Sequence, residues 1–529
     1  MTDNRRTLSP LIFALVVLIS GATAGAIFGE RSVPEEQTEL MVRSAKVVNL
    51  LLEWLPTEHD PSDIVYDGIG GMLEVLDPHS NFLDPRSFHK MRSRQEGSFF
   101  GVGIIISRRN GKITVIAPMA GTPAAAKGLR TGDVISSVED QPTEGLDLDD
   151  VVALVRGPEG TTVNLTIDRP GMKESFSVAI ERTRIPQNTV RFAFMAKPEA
   201  GYIRLSEFTS TSTREVREAI ERLQGEGMKS LVFDLRNNPG GSLDAAIGVA
   251  DAFLAKGDLI VTTKGRTPSS HTTLDAPGNG TTFEGPVVVL VNEGSASASE
   301  IVAGAIQDHD RGIVLGDVTW GKGLVQTVFS IRDTGLALTT ARYYTPSGRC
   351  IQRDFESYID YITHRNGVDA GDGSAPAYTT DSGRTVLGGG GVAPDSVVEA
   401  RVPLEQFARL IGRSAFFRFA VELLKAVPED EQDDYARSFS LTDEVLARFW
   451  SFVTDNEILT DEDLAALRDD PQGLDDVRRT IHVEVLNATV GFEAGYRVNI
   501  EGDGQLQAAI DALAEAEELW HSWKAARDG

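Results

Sequence analysis

Apolar positions change their period several times along the chain, and each change marks a different kind of element. Over residues 35–76 they recur at helical spacing (Leu40, Val47, Leu51, Trp54, then Ile64, Ile69, Met72 and Leu76), which predicts two or three amphipathic helices suited to a cap or a dimer arm. The turn-rich run LDPHSNFLDP, residues 76–85, ends that pattern, and its His79 reads as a turn residue rather than a catalytic one. From 98 to 182 the period shortens. Runs of β character at 101–107, 112–116, 133–138, 162–167 and 175–180 are separated by glycine, with helix-like pieces at 123–127 and 146–155, the content of a small β-rich binding module.

Across 184–400 strands alternate with helices. The runs 230–234, 287–292 and 313–315 are uniformly apolar and largely β-branched, as expected of strands covered on both faces in a layered α/β core. The stretches 267–282 and 371–374 read as surface loops within it. Beyond 401 the helical period returns, notably at 407–424 and 506–523, with acidic linkers and no internal repeat. The expectation is a multidomain α/β protein: a leader or anchor (1–30), an N-terminal helical region (31–97), a β-rich module (98–183), an α/β core (184–400) and a C-terminal helical accessory domain (401–529).

Charge and cysteine content narrow the function. The chain has 51 basic and 78 acidic residues and a net charge of −27, which repels phosphate backbones and argues against a nucleic-acid partner. Its single cysteine, Cys350, rules out an intramolecular disulfide and cysteine-rich metal sites. Arg5 and Arg6 precede the apolar run Leu11 to Ile19 and the small residues Ser20 to Ala26, the layout of a secretory signal. Ala22-Thr23-Ala24 offers a cleavage site, yet 8–28 is also long enough to span a bilayer, and the reading leans towards an uncleaved anchor in the inner membrane. Either way the body of the protein is expected outside the cytoplasm, in the periplasm or cell envelope.

The chemistry falls in the α/β region. Residues 287–300, VVVLVNEGSASASE, read as a buried strand, a tight small-residue turn and a helix start. Ser297 and Glu300 have the S-x-x-E spacing of a capping box, which neither Ser295 nor Ser299 has. Ser297 either caps the helix or presents a nucleophile beside the free N–H of Ala298, where the helix dipole helps to stabilise an oxyanion. The run DLRNNPGG, residues 234–241, is a second oxyanion candidate or simply a sharp turn. None of the eight histidines lies in a triad motif, and G-x-S-x-G is absent. Lys322, in TWGKG, offers another base: Trp320 and the apolar strand 324–331 are placed to bury its amine, and burial shifts lysines by roughly 3–5 pKa units. Gln326 would hold that amine if Gly323 bends the chain. Residues 316–322 also fit G-x-x-x-x-G-K, but Gly323 stands where a P-loop needs Ser or Thr, and no helix follows. In the β-rich module, Gly101-Val102-Gly103-Ile104 either captures a terminal carboxylate on its N–H groups or is an ordinary hairpin.

Taken together, LDPHSNFLDP, FFGVGI, VRGPEGT, DLRNNPGG, NEGSASASEIVAGAIQD, TWGKGLVQ, ARYYTPSGRCIQ and GGGGVAPD, in this order over about 40–400, resemble the carboxy-terminal processing or tail-specific proteases. The resemblance implies a Clp protease/crotonase-like α/β core interrupted by a PDZ domain, and a Ser-Lys dyad cleaving proteins near apolar C-termini without metal or organic cofactor. It implies Ser297 as nucleophile, Lys322 as base, Gln326 as the residue orienting the lysine, and Ala298 and Gly241 as oxyanion donors, with Gly240 an adjacent alternative. It implies that Gly101, Val102, Gly103 and Ile104 bind substrate tails and that Arg156 couples PDZ occupancy to the active site. The implied partners are proteins with exposed apolar C-termini, the membrane if the N-terminal segment is retained, and further copies in a homo-oligomer. Two departures from the family's pattern, Cys350 and Trp320, leave the dyad untouched. The competing readings are an inactive PDZ scaffold and, more remotely, a P-loop-like nucleotide-binding protein.

Overall fold

The computed structural model describes residues 35–280, 283–354, 361 and 375–528. The leader or anchor expected over 1–30 and the loop expected over 371–374 lie outside the described residues. Among those described, no helix is long and apolar enough to cross a membrane. The chain divides into two compact units, residues 1–84 with 328–338, and residues 85–327 with 339–529.

The first unit holds the two helices expected from the period, Glu35–Trp54 and Pro61–Glu74, the second started by the Asp60 carboxylate accepting from the Ser62 N–H. Their apolar stripe faces outward, with Trp54 77% and Met72 64% exposed. In the turn that follows, the Asp77 carboxylate accepts from the N–H groups of His79 and Ser80 and from the Ser80 hydroxyl. The strand Asn81–Leu83 then pairs antiparallel with residues 335–337.

The second unit is built on a six-stranded sheet in the order Val190–Lys197, Ala200–Leu205, Ser230–Asp234, Val287–Val291, Ile313–Gly316, Ser396–Val397, parallel except at the first edge pair. Both faces are covered, which explains the unbroken β-branched runs. Val287, Val289 and Val291 pack with Val249, Val302 and Ile306 of the helices on one side. Val288, Leu290 and Leu315 point the other way, against Leu506, Ala509, Leu513 and Ala516 of the C-terminal helices Gly504–Asp511 and Leu513–Asp528. The last helices are therefore a layer of the core, and the single helix expected at 506–523 is two, divided at Ala512.

The β-rich module carries a sheet in the order Ile104–Arg109, Lys112–Pro118, Val134–Val138, Thr162–Asp168, Phe176–Glu181, with the helix Leu148–Val155 packed over it. Ser98–Gly101 pairs with Thr183–Pro186 where the chain enters and leaves the module. Residues 404–498 form a separate helical core around Phe416, Phe419, Phe449 and Ile481. The helix expected at 407–424 is two, Glu405–Gly412 and Ala415–Leu424, broken at Ser414, which sits at φ 54°. The Ser414 hydroxyl accepts from Arg109 of the β-rich module, a distant partner that no local pattern announces.

Candidate active site

The strand Val287–Val291 delivers the chain into the turn 292–297, and the helix Ala298–Asp308 leaves it. Ser297 sits at the junction with φ 56° and ψ −112°, a conformation that costs a side-chain-bearing residue about 1–3 kcal/mol. The surrounding loops hold it there. The Ser295 hydroxyl donates to the Leu235 carbonyl (2.8 Å), the Ser299 hydroxyl to the Asn238 carbonyl (2.9 Å), and the Ala296 N–H to that same Asn238 carbonyl (3.0 Å). Ser295 and Ser299 are fully buried cross-links between the two loops, whereas Ser297 is half-exposed.

The loop 235–241 lies against this turn. A Cβ on Gly240 would meet the Ala296 carbonyl at 2.7 Å, the Ser297 Cβ at 2.8 Å and the Ala298 nitrogen at 2.9 Å, so only glycine permits the approach. The Gly240 N–H is already committed to Asn238 Oδ1 at 2.9 Å. The N–H groups of Gly241 and Ala298 have no acceptor among the described residues. The two glycines therefore differ in that the Gly240 N–H is bonded within its own loop and the Gly241 N–H is not.

Lys322 lies in the loop after the strand Ile313–Gly316. Its Nζ donates to Gln326 Oε1 at 3.3 Å, so the side chain itself spans the four-residue gap into the strand Leu324–Ile331. Trp320, expected to cover the amine, donates its indole N–H to the Tyr361 hydroxyl (2.8 Å) and stacks under Arg353, 4.7 Å from guanidinium to ring centre.

Glu300, which entered the sequence reading only as a cap, does more. One carboxylate oxygen accepts from the Ser297 N–H (2.6 Å) and the Lys322 N–H (2.9 Å); the other accepts from the Thr319 hydroxyl (2.6 Å) and the Gly321 N–H (2.7 Å). The capping box expected from S-x-x-E is present, and the Glu300 N–H also donates to the Ser297 carbonyl at 2.9 Å. Burial pushes the Glu300 carboxyl up, and the four donors oppose it by stabilising the charged form. The Gly321 and Lys322 N–H groups that a P-loop would turn towards phosphate are occupied by this carboxylate. Tyr343, on the strand Thr334–Tyr344, was also invisible to motif reasoning; its hydroxyl donates to the carbonyls of Ser297 (3.1 Å) and Lys322.

Behind the loop 235–241, Asp234 and Arg236 form a buried pair, which the C-terminal helices complete: Arg236 also binds Asp503 at 2.7 Å and Gln505 Oε1 at 3.0 Å. In the β-rich module, Gly101, Val102, Gly103 and Ile104 line a cavity of about 270 Å³ with Val155 and Arg156. The carbonyls of Val102 and Gly103 are bonded inward, to the N–H groups of Ala124 (3.0 Å) and Met119 (2.9 Å), while the Val102 and Gly103 N–H groups have no acceptor among the described residues. The Arg156 guanidinium stacks 4.1 Å from the centre of the Phe99 ring at the edge of this cavity.

Comparison with known proteins agrees with this architecture. Residues 199–359 match peptidase family S41 and residues 114–169 match the PDZ domain family. The chain is 43% identical over 298 residues to a carboxy-terminal-processing protease of Bartonella bacilliformis, covering 55% of this chain and 68% of that protein. It is 36% identical over 295 residues to a carboxyl-terminal-processing protease of Synechocystis sp., covering 54% and 68%. Among solved structures, a photosystem II D1 C-terminal processing protease aligns at 30% identity and a TM-score of 0.35, covering 66% of this chain and 85% of that one. An S41-type core interrupted by a PDZ domain, with relatives of this identity and coverage, leads to one conclusion: the chain belongs to the carboxy-terminal processing proteases, a family of serine-type peptidases.

Proposed function

We propose that the protein is an endopeptidase that captures substrate C-termini in its PDZ module and cleaves upstream with a Ser-Lys dyad, Ser297 and Lys322. The observation that carries this is the shared Glu300 oxygen, which binds the backbones of both residues and so brings a strained, half-exposed serine and a part-buried lysine together. In this reading the neutral Lys322 amine takes the Ser297 hydroxyl proton as Oγ attacks the substrate carbonyl. The negative charge that develops on the carbonyl oxygen is met by the Gly241 and Ala298 N–H groups at the start of a helix. When the intermediate collapses, the lysine gives its proton to the departing amine. Water, deprotonated by the same lysine, then releases the acyl-enzyme. Gln326 fixes the direction of the amine by accepting one of its hydrogens.

The PDZ groove supports tail capture through its two free N–H groups and an apolar lining that includes Val152 and Met119, which fits a carboxylate followed inward by an aliphatic side chain. In this reading Arg156, at the groove edge beside Phe99, reports occupancy. The basic and apolar N-terminal segment fits export, and protease accessibility of the protein in intact spheroplasts tests that placement.

The central test is cleavage of a partly unfolded protein by wild type, Ser297→Ala and Lys322→Ala, without nucleotide or metal. Only the wild type is expected to cut. Equal cleavage by all three would remove the dyad; activity that depends on ATP and magnesium would reinstate a nucleotide site; and a silent wild type that still binds peptide tails would leave a scaffold.

A further inference from the structure

The two residues of the proposed dyad come from different segments, and their main chains are gripped twice. On the amide side, Glu300 Oε2 accepts from the N–H of Ser297 and the N–H of Lys322, so those nitrogens can be no farther apart than the sum of the two bonds. On the carbonyl side, the Tyr343 hydroxyl shares its proton between the carbonyls of the same two residues. Neither side chain has a polar atom left for substrate. Both Glu300 oxygens are filled by four donors, and Tyr343 is buried in the protein.

We propose that Glu300 and Tyr343 are positioning residues acting as one clamp, which fixes the separation of the Ser297 and Lys322 main chains and thereby the distance of the amine from the nucleophilic hydroxyl. The inference rests on the dyad reading above. Anchorage of the clamp is independent of both reacting side chains. Thr319 donates to Glu300 and in turn accepts from the Val392 N–H at 2.7 Å, and the Tyr343 N–H donates to the Gly323 carbonyl at 2.9 Å. Burial, with the Glu300 charge adding to it, pushes the Tyr343 hydroxyl well above its ordinary range, so it remains a donor wherever the enzyme works.

Either member can be disabled with little change of shape. Tyr343→Phe deletes the shared hydroxyl; Glu300→Gln turns one acceptor into a donor facing donors. Misplacing a reacting group by about 1 Å costs on the order of 10²-fold in rate. Each variant is expected to cut a peptide with kcat lowered 10- to 100-fold and KM within about threefold, and to react correspondingly slowly with a serine-directed phosphonate. Tail-peptide affinity at the PDZ groove should be unchanged. Because the two act as a unit, the double variant should lose far less than the product of the single losses.

Ser297→Ala and Lys322→Ala are run alongside. If either cuts like wild type, the dyad itself is wrong. If both are inactive while Tyr343→Phe and Glu300→Gln keep kcat and labelling within twofold of wild type, the dyad stands and the clamp is overturned. Multiplicative losses in the double variant, or failure of both single variants to fold, would also overturn it, since either would assign these residues to the fold and not to the geometry of the pair.

Discussion

Gly240→Ala is the substitution whose effect can be worked most completely from the geometry. The residue sits at φ +97°, where an L side chain is strained by about 1–3 kcal/mol, and the new methyl would lie 2.7–2.9 Å from the Ala296 carbonyl, the Ser297 Cβ and the Ala298 nitrogen. None of these can yield cheaply, because Ala296 and Ser299 are bonded to Asn238 in the same loop. Relief requires the loop to draw back by roughly half an ångström, carrying the Gly241 N–H with it. In the mechanism proposed above Gly241 is an oxyanion donor, whose loss costs about 10²–10³-fold in kcat, so a fall on the order of 10²-fold is expected, with KM little changed. Gly383→Ala supplies the control: its φ is +90°, but nothing lies within 4 Å of the added methyl. It carries the backbone strain alone and should keep full kcat. The assay is cleavage of a fluorogenic peptide with an apolar C-terminus, alongside urea unfolding of both variants. If Gly240→Ala cuts within twofold of wild type while losing as much stability as Gly383→Ala, the glycine does not support the reacting centre and the reasoning fails.

Two further outcomes follow from other parts of the molecule. At Gly103, φ is +80° and an added Cβ would meet the Thr122 Cβ at 2.3 Å, so Gly103→Ala should deform the Gly101–Ile104 turn and weaken binding of a labelled C-terminal peptide more than tenfold by fluorescence anisotropy; unchanged affinity would move tail capture elsewhere. On the helix Pro471–Ala488, burial pushes the Glu484 carboxyl up, against the pull of Arg109. Folding therefore favours its protonated form, and the resulting stability cost is present at neutral pH and vanishes as pH falls below the ordinary carboxyl value. Glu484→Gln should melt higher than wild type at pH 8, with the gap closing by pH 4; a variant less stable than wild type at both pH values would contradict the sign.

Much of the site could be read from the chain because local rules and the fold agreed there. The β-branched run 287–291 had to be a strand covered twice, and the small residues after it had to turn. S-x-x-E singled out Ser297 correctly as the helix-start residue, but for an incomplete reason: Glu300 binds the Ser297 N–H as a cap would, and spends its other contacts on a loop about twenty residues later. No spacing rule encodes a contact that exists only once two segments have met. Tyr343 was hidden for the same reason, as a strand tyrosine among others. The serine- and threonine-rich stretch 267–282 read as a loop, yet Thr272–Asp275 is an edge strand, because pairing with Leu259–Gly265 satisfies its backbone whatever its side chains prefer. Ser414 interrupts a good helical period because its hydroxyl meets Arg109, more than three hundred residues earlier in the chain.

The contact of Arg236 with Asp503 and Gln505 has a bearing on how the enzyme comes into being. During translation, the serine, the lysine and both glycines emerge long before the side chains that brace the arginine next to them. A nascent polypeptide that stops short of them carries the residues of the proposed site without the contacts that brace the loop 235–241. Bracing of the Asp234–Arg236 pair therefore waits until residues 503 and 505, 267 and 269 positions downstream of the arginine, have been made and have settled against the sheet.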